Sequence, residues 1–216
     1  MSGRAGLKGY AVNLLVQGRR CVVVGGGRIA ARKIEALLDA GADVHVIALE
    51  LGPEVREWGD AGRISVDQRA FEPKDLDGAW LATAATSDAA VNRAVFDAGE
   101  ARRTWVNAAD DPEHCSFTLM SVVRQGDLVV TIGTGGRSPA LASWLKDRLT
   151  AELGPEYAVA CDLLSEAREA VRATGRSSED LDWRQALDSG MVELIRSGRT
   201  AEAKELLQQC LLSSSD

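Results

Sequence analysis

Short apolar runs alternate along this chain with stretches in which apolar residues return every three or four positions. Val22-Val23-Val24 runs straight into Gly25-Gly26-Gly27. Ala30, Ile34, Leu37, Leu38 and Gly41 then follow at i, i+4, i+7, i+8 and i+11, which predicts a helix to about Ala40 with Gly41 as its C-cap. Asp43–Ala48 alternates and then turns apolar, the pattern of a second strand. Pro53 opens a helix with Val55 and Trp58 inward, and Ile64 and Val66 form a short strand. After the turn Asp75-Leu76-Asp77-Gly78, Ala79–Thr83 reads as a buried strand. Ser87 or Asp88 caps a helix carrying Val91, Ala94, Val95 and Ala98 on one face. Thr104–Asn107 is the fifth strand. Strands and helices alternating at this spacing predict an α/β fold, a Rossmann-like doubly wound parallel sheet. Ahead of it, residues 10–20 read as an edge strand or hairpin arm.

The rhythm changes after Pro112. Ser116–Val123 and Leu128–Ile132 read as two strands joined through Arg124-Gln125-Gly126-Asp127, antiparallel because no helix separates them. Ser138 and Pro139 open a helix to about Leu153, and Gly154-Pro155 ends it. The remainder is helical, with apolar positions from Val159 to Cys210 punctuated by Gly175, Gly190 and Gly198.

Composition narrows the class. Of 216 residues, 45% are hydrophobic and 26% charged, enough apolar material for a packed core. No uncharged apolar run reaches the ~18 residues of a membrane span. The polar start, Met1 to Gly9, has no signal-peptide core behind it, so the expected location is cytoplasmic. Cys21, Cys115, Cys161 and Cys210 are scattered without a C-x-x-C pair and read as free thiols, and no Cys/His spacing makes a metal site. Net charge is −7. Residues 1–150 hold 18 basic and 19 acidic side chains; residues 151–216 hold 7 and 13. That balance argues against nucleic acid as a partner and marks the tail as a separate acidic unit.

Three constellations carry candidate chemistry. Gly25-x-Gly27-x-x-Ala30 sits between a buried strand and a helix start, where a dinucleotide fingerprint belongs. The glycines permit a tight turn and close approach of a pyrophosphate, and the helix start offers free N–H groups. Beyond the second strand the nearest acid is Glu50, two positions after Ala48. No arginine lies between Val44 and Glu54 to hold a 2′-phosphate, which favours NAD. Ala84-Ala85-Thr86 offers small residues against which a ligand could lie. The second constellation is Asn107-Ala108-Ala109-Asp110-Asp111-Pro112, just past the fifth strand on the ligand side of the sheet. Adjacent extended residues point opposite ways, so one aspartate faces the cleft as a general base; the alternative is turn chemistry. The third is Thr134-Gly135-Gly136-Arg137-Ser138, whose glycines and Arg137 suit an anion, or which is simply a capped helix entry. His45 lies in a strand pattern and reads as packed; His114 follows the Asp pair and is a further candidate for the cleft.

These constellations, in this order, resemble the precorrin-2 dehydrogenase/sirohydrochlorin ferrochelatase family, the dehydrogenase part of siroheme synthases. The family's strand-Gly-Gly-Gly-x-x-Ala-x-Arg-Lys motif is similar to Val23–Lys33. Its Ala-Thr loop with Val-Asn is similar to Ala84–Thr86 and Val91-Asn92, its Asn-x-x-Asp segment to Asn107–Asp110, and its Ser/Thr-Gly-Gly-x-Ser-Pro motif to Thr134–Pro139. The likeness covers residues 10–153 closely and the tail loosely. It implies oxidation of precorrin-2 to sirohydrochlorin with NAD, and in some members insertion of ferrous iron. It implies Asp110 as the catalytic aspartate. Cofactor contacts fall on Gly25, Gly26, Gly27, Arg28, Ile29, Leu49, Glu50, Ala84 and Thr86. Substrate contacts fall on Thr134, Gly135, Gly136, Arg137 and Ser138. It further implies a homodimer built through residues 116–132, where Phe117, Leu119, Val122 and Val129 lack helical cover in their own segment. The resulting division is an NAD-binding domain at 1–113, a dimerisation segment at 114–150 and a helical domain at 151–216. A non-catalytic NAD-binding module, such as a redox sensor, would explain the glycine fingerprint equally well without requiring Asp110.

Overall fold

The computed structural model describes residues 9–179 and 181–213; the polar start and the terminal serines fall largely outside them. The chain divides into two compact units, one ending at Leu119 and the other beginning at Met120.

The first unit is a five-stranded parallel sheet made of β1 (Arg20–Val24), β2 (Asp43–Ile47), β3 (Ser65–Asp67), β4 (Leu81–Ala84) and β5 (Trp105–Ala108), in the order β3-β2-β1-β4-β5. Helices α1 (Arg28–Asp39), α2 (Pro53–Asp60) and α3 (Ala89–Arg102) connect the strands. β1 is buried on both faces, which explains its unbroken valine run in place of alternation. Val23 and Val46 pack with Ala30, Ile34 and Val55 on one side. Val22, Val24 and Val106 pack with Val95, Ala98 and Leu76 on the other. α1 ends as its sequence predicts. Gly41 is left-handed (φ +72°). Its N–H bonds Leu38 O at 2.9 Å and the Ala42 N–H bonds Leu37 O at 3.0 Å, closing a Schellman motif. The register sets Val24 beside Ile47 and Ala84, and Ala84 beside Ala108, so the strands finish on one line. The order in which strands are added reverses between β1 and β4, the switch point beyond whose carboxyl ends ligands bind.

Three local expectations change. Residues 9–19 form no strand; the stretch is irregular, with Val16 as its buried anchor and the Gly18 N–H bonded to Gly41 O at 2.8 Å. Ala94 is exposed on α3, and Asn92 takes the inward position instead, its side-chain oxygen and nitrogen both hydrogen-bonded to Thr86. Ser116 to Met120 is not strand, since Ser116 and Phe117 fold back to bond Val106 O. Phe117 packs on the first unit's core.

In the second unit β6 (Ser121–Gln125) pairs antiparallel with β7 (Leu128–Ile132) through a two-residue turn at Gly126-Asp127. α4 (Pro139–Glu152) and α5 (Glu156–Ala173) pack on this hairpin, so it does have helical cover on one face. α6 (Trp183–Asp188), α7 (Met191–Arg196) and α8 (Thr200–Ser213) complete the unit. Their core joins Leu163, Ala186, Met191, Ile195 and Leu207. No disulfide joins the four cysteines. Burial, with Asp43 nearby, pushes the Cys21 thiol up to about 11. Among the described residues no helix is long and apolar enough to cross a membrane.

Gly99 of α3 packs directly on β5. A Cβ there would run into Val106 Cγ2 and stand 3.1 Å from Thr104 O. Gly99→Ala should therefore destabilise the protein by about 1–3 kcal/mol despite alanine's better helix propensity. Urea unfolding checks this; an unchanged or raised midpoint contradicts the packing argument.

Candidate functional site

The carboxyl edge of the sheet is built from three loops that touch backbone to backbone. Gly25 has φ +119°, and a Cβ on it would collide with the Ala85 carbonyl. A Cβ on Gly26 would collide with the Glu50 carbonyl, and Gly26 O accepts the Gly52 N–H at 2.8 Å. These two glycines are therefore needed by the protein itself. Gly27 differs: a Cβ there meets nothing within 4 Å, and its backbone (φ −83°, ψ −173°) suits any residue. What its missing side chain leaves is open space in front of α1.

α1 begins at that space without a side-chain cap and without an acid in its first turn. The other two long helices flanking candidate loops are capped from within. Asp88 Oδ1 accepts the Ala90 N–H at 2.8 Å at the start of α3, and Ser138 Oγ accepts the Leu141 N–H at 3.2 Å at the start of α4. The N–H groups of α1 are thus offered outward, with the positive end of the helix dipole behind them. An open glycine before an uncapped helix fits a dinucleotide pyrophosphate. Ile29 (43% exposed) and Leu49 (69% exposed) flank the opening, apolar surface of the kind an adenosine or nicotinamide ring covers.

At the end of β2, Leu49 O accepts from Gln68 Nε2 at 3.1 Å, while Glu50 is exposed. The nearby Arg69 is engaged elsewhere. It donates to Asp75 through both terminal nitrogens at 2.8 Å and to Asp67 at 2.7 Å. Burial works to raise the Asp75 carboxyl, but hydrogen bonds from Arg69 and the Glu72 N–H hold it below its ordinary value. Asp67 is also bonded by His45 Nε2 at 3.3 Å, so His45 serves the sheet edge. On the α2 side, Arg56 Nη2 leans on Leu51 O at 3.5 Å.

Beyond β4, Ala84 is fully buried and the Ala85 N–H bonds Val24 O at 2.8 Å. The Thr86 hydroxyl donates to Asn92 Oδ1 at 2.8 Å, the Thr86 N–H bonds the same oxygen at 3.2 Å, and Asn92 Nδ2 donates to Thr86 O at 3.1 Å. Thr86 and buried Asn92 thus shape the loop together. In the sequence Asn92 appears only as part of the Val91-Asn92 motif, with no role attached to it.

The two aspartates beyond β5 diverge. Asp111 Oδ2 lies 2.6 Å from His114 Nδ1, and the His114 ring stands edge-on to Phe96 of α3. Cys115 Sγ closes the loop, donating to Ala108 O or Asp111 O at 3.3 and 3.2 Å and accepting the Ala108 N–H at 3.2 Å. Asn107 Nδ2 adds a bond to Phe117 O at 3.2 Å. Asp110 is exposed, has a left-handed backbone (φ +58°), and among the described residues its carboxylate has no hydrogen bond or ion pair. A strained residue held by an over-determined loop, with an unengaged carboxylate, is where chemistry is expected. Lys33, on α1, is half-buried and has no ion-pair partner among the described residues. Burial lowers its pKa, while Cys115 and Asp110 nearby act to raise it. The motif quoted for the glycine loop contains Lys33, but nothing in its spacing marks it as functional.

Thr134 to Ser138 belong to the second unit. Gly135 and Gly136 are both left-handed (φ +60° and +74°), and Thr134 Oγ1 accepts the Ser138 N–H at 3.2 Å. With Ser138 Oγ serving as the cap of α4, the polar groups left outward are the glycine amides and the exposed Arg137 guanidinium.

Residues 12–121 match a sequence family described as "Putative NAD(P)-binding". Similar curated proteins include a siroheme synthase from Nitrosococcus oceani, 34% identical over 200 residues, which cover 92% of this chain and 43% of that protein. A siroheme synthase from Methylobacillus flagellatus is 39% identical over 196 residues, 89% of this chain and 42% of its own. The chain therefore spans less than half the length of these relatives. A solved structure of SirC, precorrin-2 dehydrogenase, superposes with a TM-score of 0.70 at 27% identity, covering 93% of this chain and 98% of that one.

The contrast among the glycines yields a test. Gly27→Val should leave the urea midpoint close to the parent's, because nothing in the fold meets the new side chain. NAD affinity should drop at least ~10-fold, equivalent to roughly 1.4 kcal/mol. Calorimetric titration measures it, and equal affinity in variant and parent would remove the pyrophosphate from this loop.

Proposed function

The chain belongs to this NAD(P)-binding family, as its glycine fingerprint and motif order lead one to expect, and we propose that it catalyses the NAD-dependent oxidation of precorrin-2 to sirohydrochlorin. The observation that carries the reading is the pairing of two features at one sheet edge. An uncapped helix opens onto the side-chain-free Gly27, and Asp110 presents an unengaged carboxylate beyond β5. NAD supplies the hydride acceptor when bound. The oxidation removes a hydride from carbon and a proton from the substrate, and Asp110 takes the proton before passing it to water. Gly25 to Ile29 hold the pyrophosphate, Glu50 the adenosine ribose hydroxyls, and Leu49 and Ala84 the flanking surface. NAD is preferred over NADP because Glu50 would repel a 2′-phosphate and Arg69 is engaged by two aspartates. Thr134–Ser138 contributes amides and the Arg137 cation to the substrate's carboxylates. Where the chain also inserts ferrous iron as a substrate, Asp110 receives the pyrrole protons that the metal displaces. Four cysteines without a disulfide suit a cytoplasmic setting.

The assembly proposed is a homodimer through the hairpin. Val122 and Val129 lie on its exposed face, and Leu141 (48%) and Trp144 (53%) of α4 are exposed in the same unit. Surface of this kind marks an interface. Light scattering at micromolar concentration should return twice the chain mass of 23.0 kDa; a monomer contradicts the proposal.

The decisive experiment is steady-state oxidation of precorrin-2 by Asp110→Ala and Asp111→Ala with NAD binding measured in parallel. Asp110→Ala should lose roughly two to four orders of magnitude in rate with NAD affinity kept. Asp111→Ala, which loses only its bond to His114, should lose less. A larger loss in Asp111→Ala reverses the assignment. No turnover by the parent would leave a non-catalytic NAD-binding module.

A further inference from the structure

Resting on that reading, we infer that Lys33 binds a carboxylate of the tetrapyrrole, placing a substrate cation inside the NAD-binding unit itself. The precorrin-2 side chains are carboxylates, and Asp110 is a negative charge at the point where they must come to rest. A polyanion brought to a carboxylate base needs a cation close by, or repulsion opposes binding.

Lys33 has the right position. It lies on α1 between the core residues Ala30 and Ile34 and so borders the face that packs on the sheet. It is five residues past the helix start, about 7–8 Å along the axis. A helical side chain leads back toward its own N-terminus, so the long Lys33 stem points toward the strand carboxyl ends. Ala109, whose N–H bonds Ala84 O at 2.8 Å, packs on the same cluster as Ala30 and Ile34, and Asp110 is the next residue.

Lys33 also has the right chemistry. A half-buried ammonium normally finds a carboxylate, because desolvation without one is unfavourable. Lys33 has none within ion-pair distance among the described residues, although Asp110 and Cys115 are near enough to act on it electrostatically. Of its basic neighbours on α1, Arg28 and Arg32 are exposed, which leaves Lys33 as the partly desolvated cation of that helix. A carboxylate arriving at the cleft would complete the pair that the fold leaves open.

The test is direct binding of sirohydrochlorin, which carries the same carboxylates, followed by absorbance titration of the NAD-saturated parent, Lys33→Gln and Lys33→Arg. Lys33→Gln should bind at least ~10-fold more weakly, the effect of one charge-assisted hydrogen bond, and Lys33→Arg should recover most of the loss. NAD affinity and melting temperature should match the parent in both. Equal sirohydrochlorin affinity in Lys33→Gln overturns the inference. So does a loss that is accompanied by a matching fall in NAD affinity or in melting temperature, which would mark a purely structural lysine. A parent that binds sirohydrochlorin in a Lys33-dependent way but does not oxidise precorrin-2 supports the inference and defeats the dehydrogenase reading. A parent that binds no sirohydrochlorin defeats both.

Discussion

The carboxyl edge of the sheet is a seam of main chain against main chain. Gly25 lies on the Ala85 carbonyl and Gly26 on the Glu50 carbonyl, with Gly52 bonded back to Gly26. A single methyl group at either glycine would push the turn after β1 away from the loop after β4 or the loop after β2. Those loops carry Ala84 and Thr86 on one side and Leu49 and Glu50 on the other. The spacing of the three loops is therefore fixed by backbone contact, and with it the width of the proposed cofactor cleft.

A second arrangement of the same kind governs the loop beyond β5. Asn107, Cys115 and Ser116 satisfy backbone groups from Val106 to Phe117, and Asp111 is drawn away by His114. The polar groups of this loop are thus occupied, and Asp110, on its left-handed turn, stays exposed. The different surroundings of two adjacent, chemically identical side chains arise from what their neighbours demand, since sequence neighbours in a turn leave on different sides.

This explains which parts could be read from the amino-acid order. The strands β1, β2, β4 and β5 and helix α1 are governed by local periodicity and caps, and they lie where Val22–Val24, Gly27 and Gly41 predict. The stretch 9–19 contains enough apolar residues for a strand but has no neighbour to pair with, which no local pattern records. The start of β6 shifts because Ser116 and Phe117 answer a carbonyl ten residues back in β5. Asn92, Arg69 and the proposed role of Lys33 carried no mark of their own in the sequence for one reason. Each owes its importance to a partner, or to the lack of one, that is distant in sequence. The glycines were legible as a motif, yet their division into two structural positions and one open position depended on the loops that face them.

The uncapped start of α1 has a thermodynamic consequence. In α3 and α4 a side chain of the protein quiets the first amides, but in α1 none does, and on the proposed reading the cofactor's pyrophosphate takes that role. Occupancy and folding are then linked quantities. A ligand present at ~100 times its dissociation constant adds roughly 2.7 kcal/mol to the folded state, a sizeable part of the stability of an ordinary domain. The nucleotide pool of the cell would thereby set how often this helix frays, and with it the lifetime of the empty protein against proteolysis.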